Sequence, residues 1–402
     1  MIGFFSEKEL RNSGASSFKN NCYTCGLYKN GKHPRQNEWG EFRKKILIVS
    51  EFPTVEEDRK GVPWCTPAGR FLRKELDKLG IDLEDDCLSV FGVRCQPLTA
   101  KNKLRVPTEK EVDLCSGYVQ NLIKNKNPKL IFIFGTKALS SVLKWKWKKG
   151  LSSISKWSGF IIPDQDYDSF ICPLYHPKYV LDMERPDLEK KWKEGLANAI
   201  KYLNKKVPTY KNLEKNIEIV DDISFFNKMQ PKYMAFDYET TGLQPYEKGH
   251  KIICASVSFD GKKAYGFMTT DKEKIKPFIR LLRNPKILKL AHNMKFEDTW
   301  TNIIFKTKVR GWYWDSMIAA HIIDNRTGIS GLKFQVFVNF GISDYDSDIN
   351  PYLHAVRGSF NKVEHLIKNG MGKKKLLIYC GLDSLLQYKL AMKQMKIIGG
   401  DK

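Results

Sequence analysis

The sequence predicts an α/β protein of two sections in tandem. The first is arranged around a mostly parallel sheet, and the second around a sheet that opens as an antiparallel meander. Three observations predict it. The length of 402 residues is more than one ordinary domain needs. In the first half, short apolar runs alternate with helix-period segments. Beyond residue 231, strand-like runs follow one another directly across an Asp260-Gly261 turn. An apolar share of 42%, with 12% aromatics, is enough to bury two cores and excludes a disordered tail.

Taken in order, strands are expected at Lys45–Ser50 (KILIVS), Leu130–Gly135 (LIFIFG) and Phe170–Leu174 (FICPL), with helices at Gly69–Leu79, Lys110–Lys124 and Asp187–Asn204. Residues 1–205 then form the first domain. Residues 206–231, with KKVPTYKNLEKN and the Gln230-Pro231 stop, read as a linker. The second domain, 232–402, has strands at Tyr233–Asp237, Ile252–Phe259 and Ala264–Met268. Helices are expected around Lys272–Arg283, Lys295–Asn302, Ser316–Ile323 and Lys375–Lys396. There is no internal repeat and no low-complexity tract.

A net charge of +23 points to a polyanionic partner, because neutralising phosphates releases counterions. No stretch approaches the ~18 consecutive apolar residues of a membrane span. The start, MIGFFSEKEL, lacks a signal-peptide pattern. A cytoplasmic protein with no membrane partner is expected. In that reducing setting, nine unevenly spaced cysteines suit metal ligation or core filling better than a disulfide framework.

Asp237-Tyr-Glu239 lies at the end of an apolar strand, where alternation puts both carboxylates on one face. Adjacent carboxylates repel unless a cation neutralises them. Further acids stand at Glu297-Asp298 and at Asp383, one helical turn after Tyr379. Carboxylates converging from distant segments are what two-metal phosphodiester hydrolysis requires, with Mg²⁺ or Mn²⁺ ions about 3.5–4 Å apart.

In this order the residues resemble the DEDDy branch of the DnaQ-like 3′→5′ exonucleases, above all the proofreading domain of family A DNA polymerases. The matching segments are Asp237-Tyr-Glu239-Thr240-Thr-Gly-Leu243, His292-Asn293-Met-Lys295-Phe296-Glu297 and Tyr379-Cys-Gly-Leu-Asp383. Trp314-Asp315 through His321 and Gly331-Leu-Lys333 add to them. The resemblance covers roughly residues 215–400. It implies a ribonuclease H-like fold, with Asp237, Glu239, Glu297 and Asp383 as ligands of two Mg²⁺ or Mn²⁺ ions. Tyr379 would orient the attacking water, and Thr240, Leu243 and Asn293 would contact the substrate strand. The family usually has Asp where Glu297 stands, so Asp298, one register on, is the alternative ligand. His292 and His321 are expected to pack or hydrogen-bond.

In the first half, Cys22-x-x-Cys25 is a ligand-type pair, and Cys95 and Cys115 could complete a four-thiolate set for Zn²⁺ or a [4Fe–4S] cluster. The segments Ser50-Glu51-Phe-Pro53 to Trp64, Cys95-Gln-Pro97 to Cys115, and Tyr175-His176-Pro177 resemble family 4 uracil-DNA glycosylases over about residues 20–200. The resemblance implies a parallel-sheet αβα fold and favours the iron–sulfur cluster over zinc. Cys65, Cys87, Cys172, Cys254 and Cys380 are then core or surface thiols. Trp64 takes the place of the family's base-stacking Phe, and His176 would stabilise charge on the uracil oxygen. Yet Phe52 and Thr54 stand where the family has Ala and Gly, and Phe91 or Gly92 replaces its uracil-reading Asn. A site lacking that hydrogen-bonding group loses discrimination, so a DNA-holding domain is expected rather than one that excises uracil.

Together the two resemblances look like the front of certain phage family A DNA polymerases. With no palm, fingers or thumb after Lys402, the expectation is a stand-alone exonuclease subunit acting with a separate polymerase. The rivals are a repair glycosylase with an end-trimming domain and a non-catalytic DNA or polymerase scaffold.

Overall fold

The computed structural model describes residues 16–356, 359–368 and 370–399; the opening MIGFFSEKEL lies outside the described residues. The chain forms two compact units, Met1–Thr209 and Tyr210–Lys402.

The first unit holds a five-stranded sheet in the order β2 (Cys87–Phe91), β1 (Ile46–Ser50), β3 (Leu130–Phe134), β5 (Ser169–Leu174), β4 (Ile162–Asp164). All neighbours run parallel except β4, which is antiparallel to β5. Every residue of β1 and β3 is buried, as expected of central parallel strands covered on both faces. On one face Ile46, Ile48, Phe132 and Phe134 pack with Leu72 of the helix Pro67–Asp77 and Trp192 of the helix Pro186–Ile200. The helices Glu109–Lys126 and Thr136–Leu143 pack together, and the second lies on β1 and β3. Two capping boxes, Thr54 with Glu57 and Thr108 with Glu111, start helices beside the segments singled out in the sequence.

The second unit holds a six-stranded sheet in the order β11 (Trp312–Asp315), β10 (Leu288–Ala291), β7 (Tyr233–Thr240), β8 (Ile252–Ser258), β9 (Ala264–Met268), β6 (Ile217–Ile219). The meander β7–β8–β9 is antiparallel, while β10 joins β7 in parallel. Residues 206–231, read as a linker, contribute β6 and a short helical turn at Ser224–Lys228 whose Phe226 is fully buried. The linker expectation is corrected to that extent: Ile217 and Ile219 pair with β9, and Phe226 anchors a core.

One face of β7, carrying Phe236 and Tyr238, packs with Phe278 and Trp300. The alternate residues Tyr233 and Ala235 meet Ala391 and Met395 of the long helix Gly370–Ile398. That helix can approach because of two glycines, Gly381 on the helix and Gly266 on the strand under it. A Cβ on Gly381 would stand 2.3 Å from Ile217 Cγ2, and one on Gly266 would stand 2.8 Å from Leu377 O. Asp237 and Glu239 follow Ala235 on the same face of the strand, so the glycine contacts bring Tyr379, Cys380 and Asp383 down to them.

Candidate active site

Three segments deliver carboxylates to one place in the second unit. β7 contributes Asp237, partly exposed, and Glu239, 7% exposed. The helix Met294–Ile304 contributes Glu297, 3% exposed, and the long helix contributes Asp383, 5% exposed. Burial and the charge of Asp383 hold the Asp237 carboxyl well above its usual range. Burial and the charge of Asp237 do the same to Glu239 and Glu297. Glu297 Oε2 is buried without a hydrogen-bond partner. An unpaired carboxylate oxygen in a buried acidic cluster is an acceptor shaped for a cation, so the donor set fits a divalent metal.

Asp298 is placed elsewhere. Its Oδ1 accepts from the Trp312 indole at 2.9 Å, which leaves Glu297 as the acid turned toward Asp237. Asn293 opens the helix in a left-handed conformation, φ 75°, which Asn tolerates. Its backbone N–H and that of Met294 donate to Asp315, and this holds the Glu297 helix start. Thr240 Oγ1 donates to Gly242 O at 2.8 Å and the Thr240 carbonyl accepts from Asn361, which fixes the turn that exposes Leu243. His292 pairs with Ser316, and burial pushes its pKa down to about 4; His321 is exposed.

Three neighbours had no assigned role in the sequence. Lys333 forms an ion pair with Asp383 and lies over the rings of Tyr345 and Tyr379, 4.1 and 4.3 Å from their centroids. Tyr345 Oη donates to Asp383 Oδ1 at 2.6 Å. Both phenols are raised by burial and then by the Asp383 charge. Cys380, expected to be an ordinary thiol, is fully buried, with Sγ 3.5 Å from the Asp237 carbonyl and 3.8 Å from its Oδ2. One ligand atom each of Asp237, Glu239 and Cys380 lie within 4.8 Å of one another. The signal for Lys333 was its place in Gly331-Leu-Lys333; for Tyr345 there was none.

In the first unit, Cys22, Cys25, Cys95 and Cys115 line a single cavity of about 30 Å³ with Leu27, Tyr28 and Val93. Backbone N–H groups of Arg35 and Arg94 donate to the sulfurs of Cys95 and Cys115 at 3.2 and 3.4 Å. Burial pushes the Cys115 thiol up to about 12 and raises Cys25 and Cys95. Four thiols around one cavity are a donor set that Zn²⁺ or an iron–sulfur cluster can use.

The glycosylase-like residues are packed into the first unit's core. Trp64 is no platform for a base: it is 2% exposed, edge-on to Phe134 and stacked on His176 at 5.7 Å. Its indole N–H donates to Ser89 Oγ at 3.0 Å, and its backbone N–H donates to Glu57 Oε1 at 2.8 Å. The turn is tight enough that a Cβ on Gly69 would meet Trp64 O at 1.9 Å, which points the ring inward. His176 has both nitrogens engaged. Nδ1 accepts from Lys178 N–H, so Nε2 carries the hydrogen and faces Ser50 Oγ at 3.1 Å. Burial pushes its pKa to about 4, so the ring is neutral. Phe52 packs beside the cysteine cavity, and Thr54 caps a helix.

The model of the uracil DNA glycosylase superfamily matches residues 38–203, and that of the 3′-5′ exonuclease domain of A-type DNA polymerases matches residues 209–393. The type-4 uracil-DNA glycosylase of Thermotoga maritima is 30% identical over 184 residues, 46% of this chain and 90% of that protein. Its counterpart in Saccharolobus solfataricus is 28% identical over 194 residues, 48% of this chain and 86% of the relative. The DNA polymerase of Bacillus phage SP01 is 24% identical over 321 residues, 71% of this chain but 33% of the polymerase. The first unit is thus glycosylase-like and the second a 3′-5′ exonuclease domain. Among the described residues no helix is long and apolar enough to cross a membrane.

Proposed function

We propose that this chain, which belongs in its first half to the uracil-DNA glycosylase superfamily and carries a 3′-5′ exonuclease domain in its second, removes nucleotides from DNA 3′ ends with divalent metal. The observation that carries the reading is the convergence of Asp237, Glu239 and Asp383, with the buried, unpartnered oxygen of Glu297 beside Asp237. These residues would hold Mg²⁺ or Mn²⁺, which supplies an activated water and charge neutralisation at the phosphodiester. Tyr379 positions that water beside Asp383. Thr240, Leu243 and Asn293 line the approach of the strand, and Lys333 adds a cation for phosphate once it leaves Asp383.

The first unit serves as a DNA-holding domain, with an iron–sulfur cluster on Cys22, Cys25, Cys95 and Cys115 as a structural staple. What supports this is the filled space around Trp64 and the satisfied ring of His176, which leave a flipped base no stacking face. Likeness to a phage DNA polymerase supports a polymerase as the working partner.

The test is a 5′-labelled primer–template with a 3′ mismatch, with Mg²⁺ or EDTA, using wild type and Asp237→Ala. A metal-dependent ladder that the variant lacks is expected. No shortening by the wild type, alone or with a polymerase added, would overturn the reading in favour of a scaffold.

A further inference from the structure

We propose that the exonuclease centre of this chain includes a thiol ligand. Cys380, with Asp237 and Glu239, forms a site for a thiophilic divalent cation, of which Zn²⁺ and Cd²⁺ are the natural occupants and Co²⁺ the visible probe. This rests on the carboxylate cluster being a metal centre, and it adds a donor and a metal class to it.

The geometry comes first. The three side chains each offer a ligand atom, and all three atoms lie within 4.8 Å of one another. A tetrahedral ion at ~2.3 Å from sulfur and ~2.1 Å from oxygen separates those two donors by about 3.6 Å. Cys380 Sγ lies 3.8 Å from Asp237 Oδ2, so little movement is needed. The fold enforces this approach. Gly381 seats the helix on Ile217, and Ser256 Oγ donates to the Cys380 carbonyl at 2.6 Å. Cys254, cross-strand from Glu239, shares a hydrogen bond with Cys380.

A second observation points to the same ligand. Glu297 Oε2 is buried with no partner, and its carboxyl feels the Asp237 charge first among its neighbours. It lies beside Asp237, next to the three-donor group. Asp383 is not needed, because Lys333 and Tyr345 already satisfy it.

The chemistry then separates two metal classes. An all-oxygen set suits Mg²⁺, whereas a thiolate biases a site toward Zn²⁺ and its soft relatives. Binding exchanges the S–H bond for a metal–sulfur bond, and the proton leaves to solvent; no electron moves. Asp237 and Glu239 belong to the Mg²⁺ set as well, so a soft cation held by them and Cys380 takes the place of Mg²⁺. Thiophilic cations should therefore stop Mg²⁺-driven shortening by occupying the centre.

The experiment uses the full chain and Co²⁺, with Cd²⁺ for affinity. Sulfur-to-cobalt charge-transfer bands should be stronger in wild type than in Cys380→Ala or Cys380→Ser by one thiolate's worth. They should weaken likewise in Asp237→Asn, which keeps the thiol and the shape of the cluster. Losing a direct ligand should lower Cd²⁺ affinity at this site by at least the ~10–100-fold that losing an outer-sphere partner costs. Identical cobalt spectra and Cd²⁺ affinities in wild type and Cys380→Ala would overturn the proposal, since every thiolate band would then belong to the four-cysteine cavity. If Mg²⁺ or Mn²⁺ still drives shortening in that case, the exonuclease reading stands and only the thiol ligand fails. If neither ion binds or drives shortening, the metal-centre reading itself has failed.

Discussion

Replacing Asp237 by Asn should stabilise the metal-free protein and remove its response to metal. Asp237 and Glu239 offer oxygens within 4.8 Å of each other. Two unit charges at that separation repel by about 3.5 kcal/mol at an effective dielectric of ~20. Uptake of a proton relieves part of this at neutral pH, so the neutral isostere should gain about half, roughly 1.5–2 kcal/mol. For a unit of this size that is a rise in Tm of about 3–8 °C. With Mg²⁺ at a hundred times its Kd, wild type gains ~2.7 kcal/mol and the order reverses, because the variant has lost a ligand. The sign of the pH dependence follows from the raised carboxyls. Their ordinary values are 3.8 and 4.5, and burial with mutual repulsion lifts them in the folded protein. Their stabilising protons are fully held below those ordinary values and are lost as pH rises through the raised ones. In EDTA, Tm of the metal-sensitive transition should fall from mild acid to neutral pH, with a shallower slope for Asp237→Asn. The assay is scanning calorimetry of both proteins in EDTA and in Mg²⁺ across that range. A variant less stable than wild type in EDTA, or equal gains from Mg²⁺ in both, would refute the reasoning.

Five further outcomes are expected. Glu297→Gln should weaken Mn²⁺ binding by at least ~10–100-fold and abolish shortening at limiting metal. Asp298→Asn should leave cleavage near wild type and cost only the Trp312 bond, about 1 kcal/mol, in a denaturant titration. Tyr379→Phe should slow cleavage by about 10²-fold or more while Mn²⁺ still binds, as loss of a water-positioning group does. Trp64→Ala should destabilise the first unit by ~3–5 kcal/mol, seen as a lower denaturant midpoint, and wild type should release no uracil from a uracil-containing strand. Cys115→Ser should cost the purified protein the brown colour of an iron–sulfur cluster, whereas a colourless wild type with bound zinc would count against the cluster.

What the sequence made legible follows the physics of burial. β1, β3 and β5 were readable because central parallel strands are apolar throughout. β10 was not, because Lys289 interrupts Leu288–Ala291; its ammonium is buried and bonds to the carbonyls of Asn284 and Ile287, a local solution that no periodicity reveals. β6 is three residues around an exposed Glu218, too short to stand out from a linker. The acidic positions stood out by motif, since chemistry dictates their residue types. Lys333 and Tyr345 reach Asp383 from 50 and 38 residues away, and only the packing of the long helix brings them together. Trp64 was misplaced because an aromatic side chain serves equally as a base platform and as core. The turn set by Glu57 and Gly69 decides which, and that turn is a three-dimensional fact.

The two units differ in how far their buried polar groups satisfy one another. Around Trp64 the polar atoms are paired: the indole N–H with Ser89, both His176 nitrogens, and Glu57 with Thr54 and with the Trp64 backbone. Polar groups that satisfy one another in this way stabilise the unit, which agrees with the proposed DNA-holding role. Around Asp237 the opposite holds. Four carboxylates are crowded, Glu297 Oε2 has no partner, and Lys333 supplies the local cation to Asp383. Such local conflict lowers stability, so it persists only where something absent from the bare chain completes it. A compact positive charge lying among side-chain oxygens within a few ångströms would relieve the conflict, which is the description of a divalent metal ion. The same reasoning explains why neutralising one carboxylate should both stabilise the protein and silence it.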